Sequence, residues 1–144
     1  MWSALAFALL AAAPAPADAP ADVALRKVVA DYVGLYRHET LPEWRKLFLA
    51  SFSVASTNPD GSVRLRNLDE FYTAQEKYLA SGKAIREVLE NVVVERRGRL
   101  ASVWADFVLT EEGETSRGKL CLLLIEEKGA WRIQALIFGY AAAD

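Results

Sequence analysis

Apolar residues recur at helical spacing in the first half of the chain and alternate with polar ones in the second. From Pro20 to Tyr36, the residues Leu25, Val28, Val29, Tyr32, Val33 and Tyr36 fall three or four apart, the single stripe of an amphipathic helix. Pro20 suits its first turn, where a missing N–H costs nothing. Thr40 and Glu43, with Pro42 between them, predict a capping box that opens a second, short helix through Phe48. Leu41, Trp44, Leu47 and Phe48 share its apolar side. The segment "FSVAS" (52–56) reads as a strand, Asn58-Pro59-Asp60-Gly61 as a turn, and Ser62 to Arg66 as the returning strand. Asn67 with Glu70 caps a third helix, whose stripe is Leu68, Phe71, Tyr72, Gln75, Tyr78 and Leu79, and Gly82 supplies its stop.

From Ala84 the period becomes two. Ile85 to Arg96 is a predicted strand, and "RRGR" turns the chain. Leu100 to Thr110 returns, with Ala101, Val103, Ala105, Phe107 and Leu109 on one face and Leu100, Ser102, Trp104, Asp106 and Val108 on the other. "EEGETSRG" reads as a polar loop. Residues 118–140, "GKLCLLLIEEKGAWRIQALIFGY", form two further strands hinged at Glu127-Lys128-Gly129, largely apolar on both faces. The order α-α-β-β-α-β-β-β-β predicts an α+β fold, with helices packed on one face of a curved antiparallel sheet.

Composition narrows the function classes. A chain of 144 residues, 53% hydrophobic and 25% charged, is one globular domain. Net charge is -2 and the basic residues are scattered, so no nucleic-acid partner is expected. One cysteine and one histidine exclude a disulfide framework and a Cys/His metal cluster within one chain. No glycine-rich phosphate loop is present, and no cofactor is expected.

Residues 1–19 differ from the rest. "WSALAFALLAAA" is too short to cross a bilayer, where about 20 apolar residues are needed. Followed by "PAPADAP", it predicts a cleaved signal peptide, cut between Ala13 and Pro20, although no Lys or Arg precedes the apolar run. The mature chain, a single domain over 20–144, is then expected to be exported to the periplasm or beyond, with no membrane anchor left after cleavage. The alternative is a cytoplasmic protein with an Ala/Pro tail.

"VVADYVGLYRHETLPEWRKLF", "NLDEFYTAQEKYL" and the closing "GAWRIQALIFGY", in this order, resemble the nuclear transport factor 2-like superfamily, in its SnoaL-like and ketosteroid-isomerase-like branches. The resemblance covers about residues 22 to 140. It implies a cone of cystatin-like type: a strongly bent sheet around three helices, often with an apolar pocket, and often paired with a second copy through the outer sheet face. That pairing would explain final strands that are apolar on both faces.

The resemblance also says where chemistry would sit. Tyr32 matches a tyrosine that donates to a developing oxyanion. The relatives' acidic base falls near Ser56 and their second acid near Cys121. Serine is no base for a carbon-bound proton, and cysteine in an apolar strand is ordinarily packed, which argues against ketosteroid-isomerase chemistry. Among the residues themselves, Asp106 is a mid-strand carboxylate between Trp104 and Val108. If buried, its pKa would rise and it would serve as an acid or base. The pocket candidates are therefore Tyr32, Tyr36, Trp44, Tyr72, Trp104 and Asp106, set against their plain reading as core aromatics and an exposed carboxylate. His38 reads as a solvated residue at a helix end. Glu87 and Glu90 lie on opposite strand faces and form no carboxylate pair. The leading expectation is a non-catalytic domain that binds a small apolar ligand or a protein partner. The alternative is an isomerase, dehydratase or cyclase acting on an apolar substrate.

Overall fold

The computed structural model describes residues 20–141, so the leader and its cut site lie outside the described residues. Helix α1 spans Pro20–Gly34. A 3-10 turn at His38–Thr40 leads into α2, Leu41–Arg45. Strand β1 (Phe48–Thr57) and strand β2 (Val63–Asn67) form a hairpin, and α3 (Leu68–Leu79) follows at once. Four long strands complete the chain: β3 (Ile85–Arg97), β4 (Leu100–Glu111), β5 (Glu114–Glu127) and β6 (Ala130–Tyr140).

All six strands join one unclosed sheet in the order β2-β1-β6-β5-β4-β3. Every neighbouring pair is antiparallel except β1 with β6, which is parallel. Register shifts interrupt β1 between Phe48 and Ser53, β3 between Glu90 and Val93, and the β5–β6 ladder at Leu123 and Leu124. Such irregularities bend a strand and raise its twist, so they help curl the sheet around the helices. Among the described residues no helix is long and apolar enough to cross a membrane.

Several local expectations change. Thr40 does not cap α2: its hydroxyl donates to the Leu35 carbonyl at 2.8 Å, closing the turn behind it. Phe48 starts β1 rather than ending α2, because its backbone pairs with Ile133 of β6. The polar stretch after Glu111 is no loop. Glu112 and Gly113 both take positive φ, forming a tight turn, and Thr115, Ser116 and Arg117 continue the ladder opposite Thr110, Leu109 and Val108. At α3 the expected reciprocal cap is present: Asn67 Oδ1 accepts from the Glu70 N–H at 2.9 Å, and Glu70 Oε2 accepts from the Asn67 N–H at 3.0 Å.

The core lies between the helices and the concave face of the sheet. Trp44 is its centre, with ring centroids 4.6 Å from Phe48, 5.3 Å from Tyr36, 5.7 Å from Phe71 and 6.0 Å from Tyr32. Its indole N–H donates to the Tyr32 carbonyl at 2.8 Å, so the ring is buried without an unmet donor. Ala101, Val103, Ala105 and Phe107 are the buried face of β4, and Trp104 is exposed on the convex face.

Candidate functional site

The cone does not fill. A cavity of about 620 Å³ remains between α1, α3 and the concave face. Trp44, Phe71, Phe107, Leu120, Leu136 and Phe138 give it apolar walls. Gly118 on β5 backs the Phe107 wall: a Cβ there would overlap the Phe107 ring and the Gly139 carbonyl oxygen. The glycine lets Phe107 lie across the strand and meet Tyr140 edge-on at 5.2 Å.

Polar groups enter from every side. Tyr32 comes from α1, and Tyr36 from the segment just past its end, since the helix stops at Gly34 and not at Tyr36 as its apolar stripe predicts. From α3, Gln75 and Tyr78 share the stripe of Phe71 and Ala74, spaced as a helix requires. Glu87 comes from β3, on the face it shares with Ile85 and Leu89, opposite Leu109. Glu111 and Tyr140 stand at the ends of β4 and β6.

Most of these groups are already committed. The Tyr36 hydroxyl donates to Gln75 Oε1, and the Tyr78 hydroxyl donates to Glu111 Oε2 at 2.7 Å. Lys83 pairs with Glu111 at 2.5 Å, and these two hydrogen bonds hold the Glu111 carboxyl below its ordinary range. Three are not committed: among the described residues, the Tyr32 hydroxyl, the Tyr140 hydroxyl and the Glu87 carboxylate have no hydrogen-bond partner, and Tyr140 is largely exposed at the rim. Burial alone pushes the Glu87 carboxyl up to about 7. Burial first, and the Glu87 charge second, hold the Tyr32 and Tyr36 hydroxyls well above their usual pKa, so both stay protonated. The site thus offers fixed hydroxyl donors beside an acid that changes charge near neutrality.

Glu87 and Tyr36 also border a second hollow, a cleft of about 680 Å³ between α1 and β3 with Val29, Val33, Val92 and Val94 in its walls.

Three of the six pocket candidates line the cavity: Tyr32, Tyr36 and Trp44. Three do not. Tyr72 is turned toward α2, where the Arg45 guanidinium lies 4.7 Å above its ring, because it is one helical step away from the Phe71 stripe. Trp104 and Asp106 lie on the convex face. Asp106 accepts hydrogen bonds from Lys119 at 2.6 Å and Asn91 at 2.8 Å, and these lower its pKa instead of raising it. Asn91 reaches it from the irregularity in β3, where its φ is 51°. His38 is exposed, and the four-residue offset from Gly34 places it in the 3-10 turn and not on α1. Ser56 lines the cavity, whereas Cys121 pairs with Trp104 and Ile137 on the convex face. Its concave neighbours Leu120 and Leu122 are apolar, so no acid stands on this part of β5. The uncommitted acid of this cavity is Glu87, since Glu111 is tied to Tyr78 and Lys83. Its signal in the sequence was the alternation Ile85, Glu87, Leu89, a carboxylate in an apolar row.

Among the described residues no group of three His, Cys, Asp or Glu side chains is placed to hold a metal ion.

A curved six-stranded sheet over three helices with a hollow cone defines the nuclear transport factor 2-like class. A family model described as a SnoaL-like domain matches residues 25–137, and the chain belongs to that family. No curated protein sequence matches it. Among solved structures it is similar to a proposed dehydratase of the NTF2-like family from Streptomyces avermitilis, at 14% identity, TM-score 0.70, covering 84% of this chain and 96% of that one. It is also similar to an NTF2-like protein of unknown function from Shewanella baltica, at 12% identity, TM-score 0.65, covering 85% and 94%. A cystatin-like protein of unknown function from Nostoc punctiforme aligns at 9% identity, TM-score 0.68, covering 85% and 92%. At these identities the likeness is one of fold.

Proposed function

We propose that this domain binds a small, largely apolar molecule in the cone and recognises one oxygen function on it through Tyr32 and Glu87. One observation carries the reading. The Tyr32 hydroxyl and the half-buried Glu87 carboxylate face a cavity of about 620 Å³ with no protein partner among the described residues, so a donor and an acceptor inside the hollow are open to a ligand. A volume in that range suits a small ligand. Adamantanone, a compact ketone, is a fitting probe. Titration calorimetry should detect its binding to the wild type and lose it in Ala74→Trp, which puts an indole into the cavity. Equal binding by a folded Ala74→Trp protein would place the ligand elsewhere.

The state of Glu87 favours a second reading, in which the cavity also moves a proton. An acid that titrates near 7 exchanges protons readily at neutral pH, and a tyrosine that stays protonated can donate to a developing oxyanion. The chemistry would be isomerisation or dehydration beside a carbonyl.

Export through residues 1–19 and pairing of two copies belong to the same proposal. Pairing is supported by the convex face. Val93, Trp104, Ile137 and Leu65 are 61%, 57%, 51% and 74% exposed. They lie in one cross-strand row with Cys121 and Ala55 that runs through all six strands. An apolar band of this length is unusual on a monomer. Sedimentation should give a dimer for the wild type and a folded monomer for Trp104→Glu. A wild type that stays monomeric at high concentration would sink the pairing.

A further inference from the structure

Strand β2 is patterned the wrong way round for its place in the sheet. Its apolar residues Val63 and Leu65 point outward, 60% and 74% exposed. Its two arginines, Arg64 and Arg66, point to the concave side and line the cavity mouth. The register fixes this. Arg64 stands in the row of Ser56, Phe138 and Leu120, and Arg66 in the row of Val54, Leu136 and Leu122. Every other member of those rows that is buried is apolar.

Neither arginine has an ion pair or hydrogen bond among the described residues, while eight other cation–carboxylate pairs are formed. The other charges of the cavity do not balance them. Glu111 is tied to Lys83 and Tyr78. Glu87 stands across the cavity on β3, at the opposite edge of the sheet. Two guanidinium groups therefore stand beside the aromatic and aliphatic walls of the hollow with no counter-charge next to them. Guanidinium matches a carboxylate with paired donors, and such contacts gain strength next to a low-dielectric wall.

We infer that the cavity takes an amphipathic acid: an apolar body against Trp44, Phe71 and Leu120, with its carboxylate held at the mouth by Arg64 and Arg66. This deepens the binding reading above and rests on it. It names the ligand class as an organic anion, where the bare cavity specifies only an apolar molecule with an oxygen function.

Decanoate and decanol, which share a chain length and differ in charge, separate the two ideas. Titration calorimetry on the full chain, with wild type, Arg64→Gln/Arg66→Gln and Ala74→Trp, is the experiment. Decanoate should bind the wild type at least about tenfold more tightly than decanol. The double glutamine variant should erase that preference and keep decanol binding, and Ala74→Trp should abolish both. Equal affinity for acid and alcohol, unchanged by the glutamines, overturns the anion inference and leaves the cavity reading standing; the arginines then only guard an open sheet edge. Decanoate binding that survives in Ala74→Trp also overturns it, since the contact is then a surface ion pair. If neither compound binds, both ideas fall.

Discussion

Trp44→Ala should be among the most destabilising single changes in the chain, costing about 3–5 kcal/mol. Four aromatic rings touch this indole, and it is 1% exposed. Its removal leaves a void that the sheet on one side and α1 on the other cannot close. It also strips the Tyr32 carbonyl of its donor. A domain of this size has about 5–15 kcal/mol in total, so a large share goes with one side chain. Urea unfolding followed by circular dichroism reads the loss. Trp44→Phe should recover part of the packing but not the hydrogen bond. A loss below about 1 kcal/mol for the alanine variant would mean that Trp44 faces a collapsible, water-filled space and not a core. Because Trp44 also forms the cavity wall, ligand affinity should fall with stability.

Glu87→Gln should make the domain more stable, and only at the higher pH values. The folded carboxyl is raised from 4.5 to about 7. Between those values the folded chain holds a proton that the unfolded chain has lost, so stability falls as pH rises through that window. Above it the full cost of a buried charge applies, roughly 3 kcal/mol at most and less where cavity water reaches the carboxylate. Glutamine keeps the shape and removes the charge. Unfolding free energies of the two proteins should agree near about pH 4 and diverge by about 2–3 kcal/mol near about pH 8. A constant difference across the range would show that Glu87 is solvated. The same variant decides whether the acid does chemistry. If the cavity moves protons beside a carbonyl, cyclic enones incubated in deuterated water should gain mass with the wild type. Glu87→Gln should slow that gain by about 10²–10⁴-fold. No gain with the wild type leaves binding as the function.

Both effects come from one arrangement: the helices supply aromatic rings and the strands supply the curvature that stops them filling the cone. The hollow between them is why an acid on β3 can be half-buried and unpaired without an ion partner. The two unpaired arginines on β2 close the opposite side of that hollow.

Much of the fold was legible in the chain. Leu25, Val29, Tyr32 and Tyr36 repeat at helical spacing and are all buried. Asn67 and Glu70 form the cap their spacing predicts, because capping is settled within four residues. The alternation of β4 separates two faces correctly. It does not say which face is inward. Trp104 outweighs Ala101 and Ala105 in apolarity, yet the face that turns inward is the one of Ala101, Val103, Ala105 and Phe107. That single choice moved Trp104 and Asp106 out of the site. A one-residue offset on β5 had the same effect on Cys121, since neighbours on a strand face opposite ways.

The sequence by itself determined the element order, the cap of α3, the turn at Asn58 to Gly61 and the division of each strand into two faces, because these depend on contacts a few residues apart. Only the tertiary structure decided which faces look inward, that β1 lies parallel to β6, and that Glu87, Tyr32, Arg64 and Arg66 share one cavity. Those facts depend on register and sheet curvature, which bring together residues from α1, β2 and β3 that no local pattern connects.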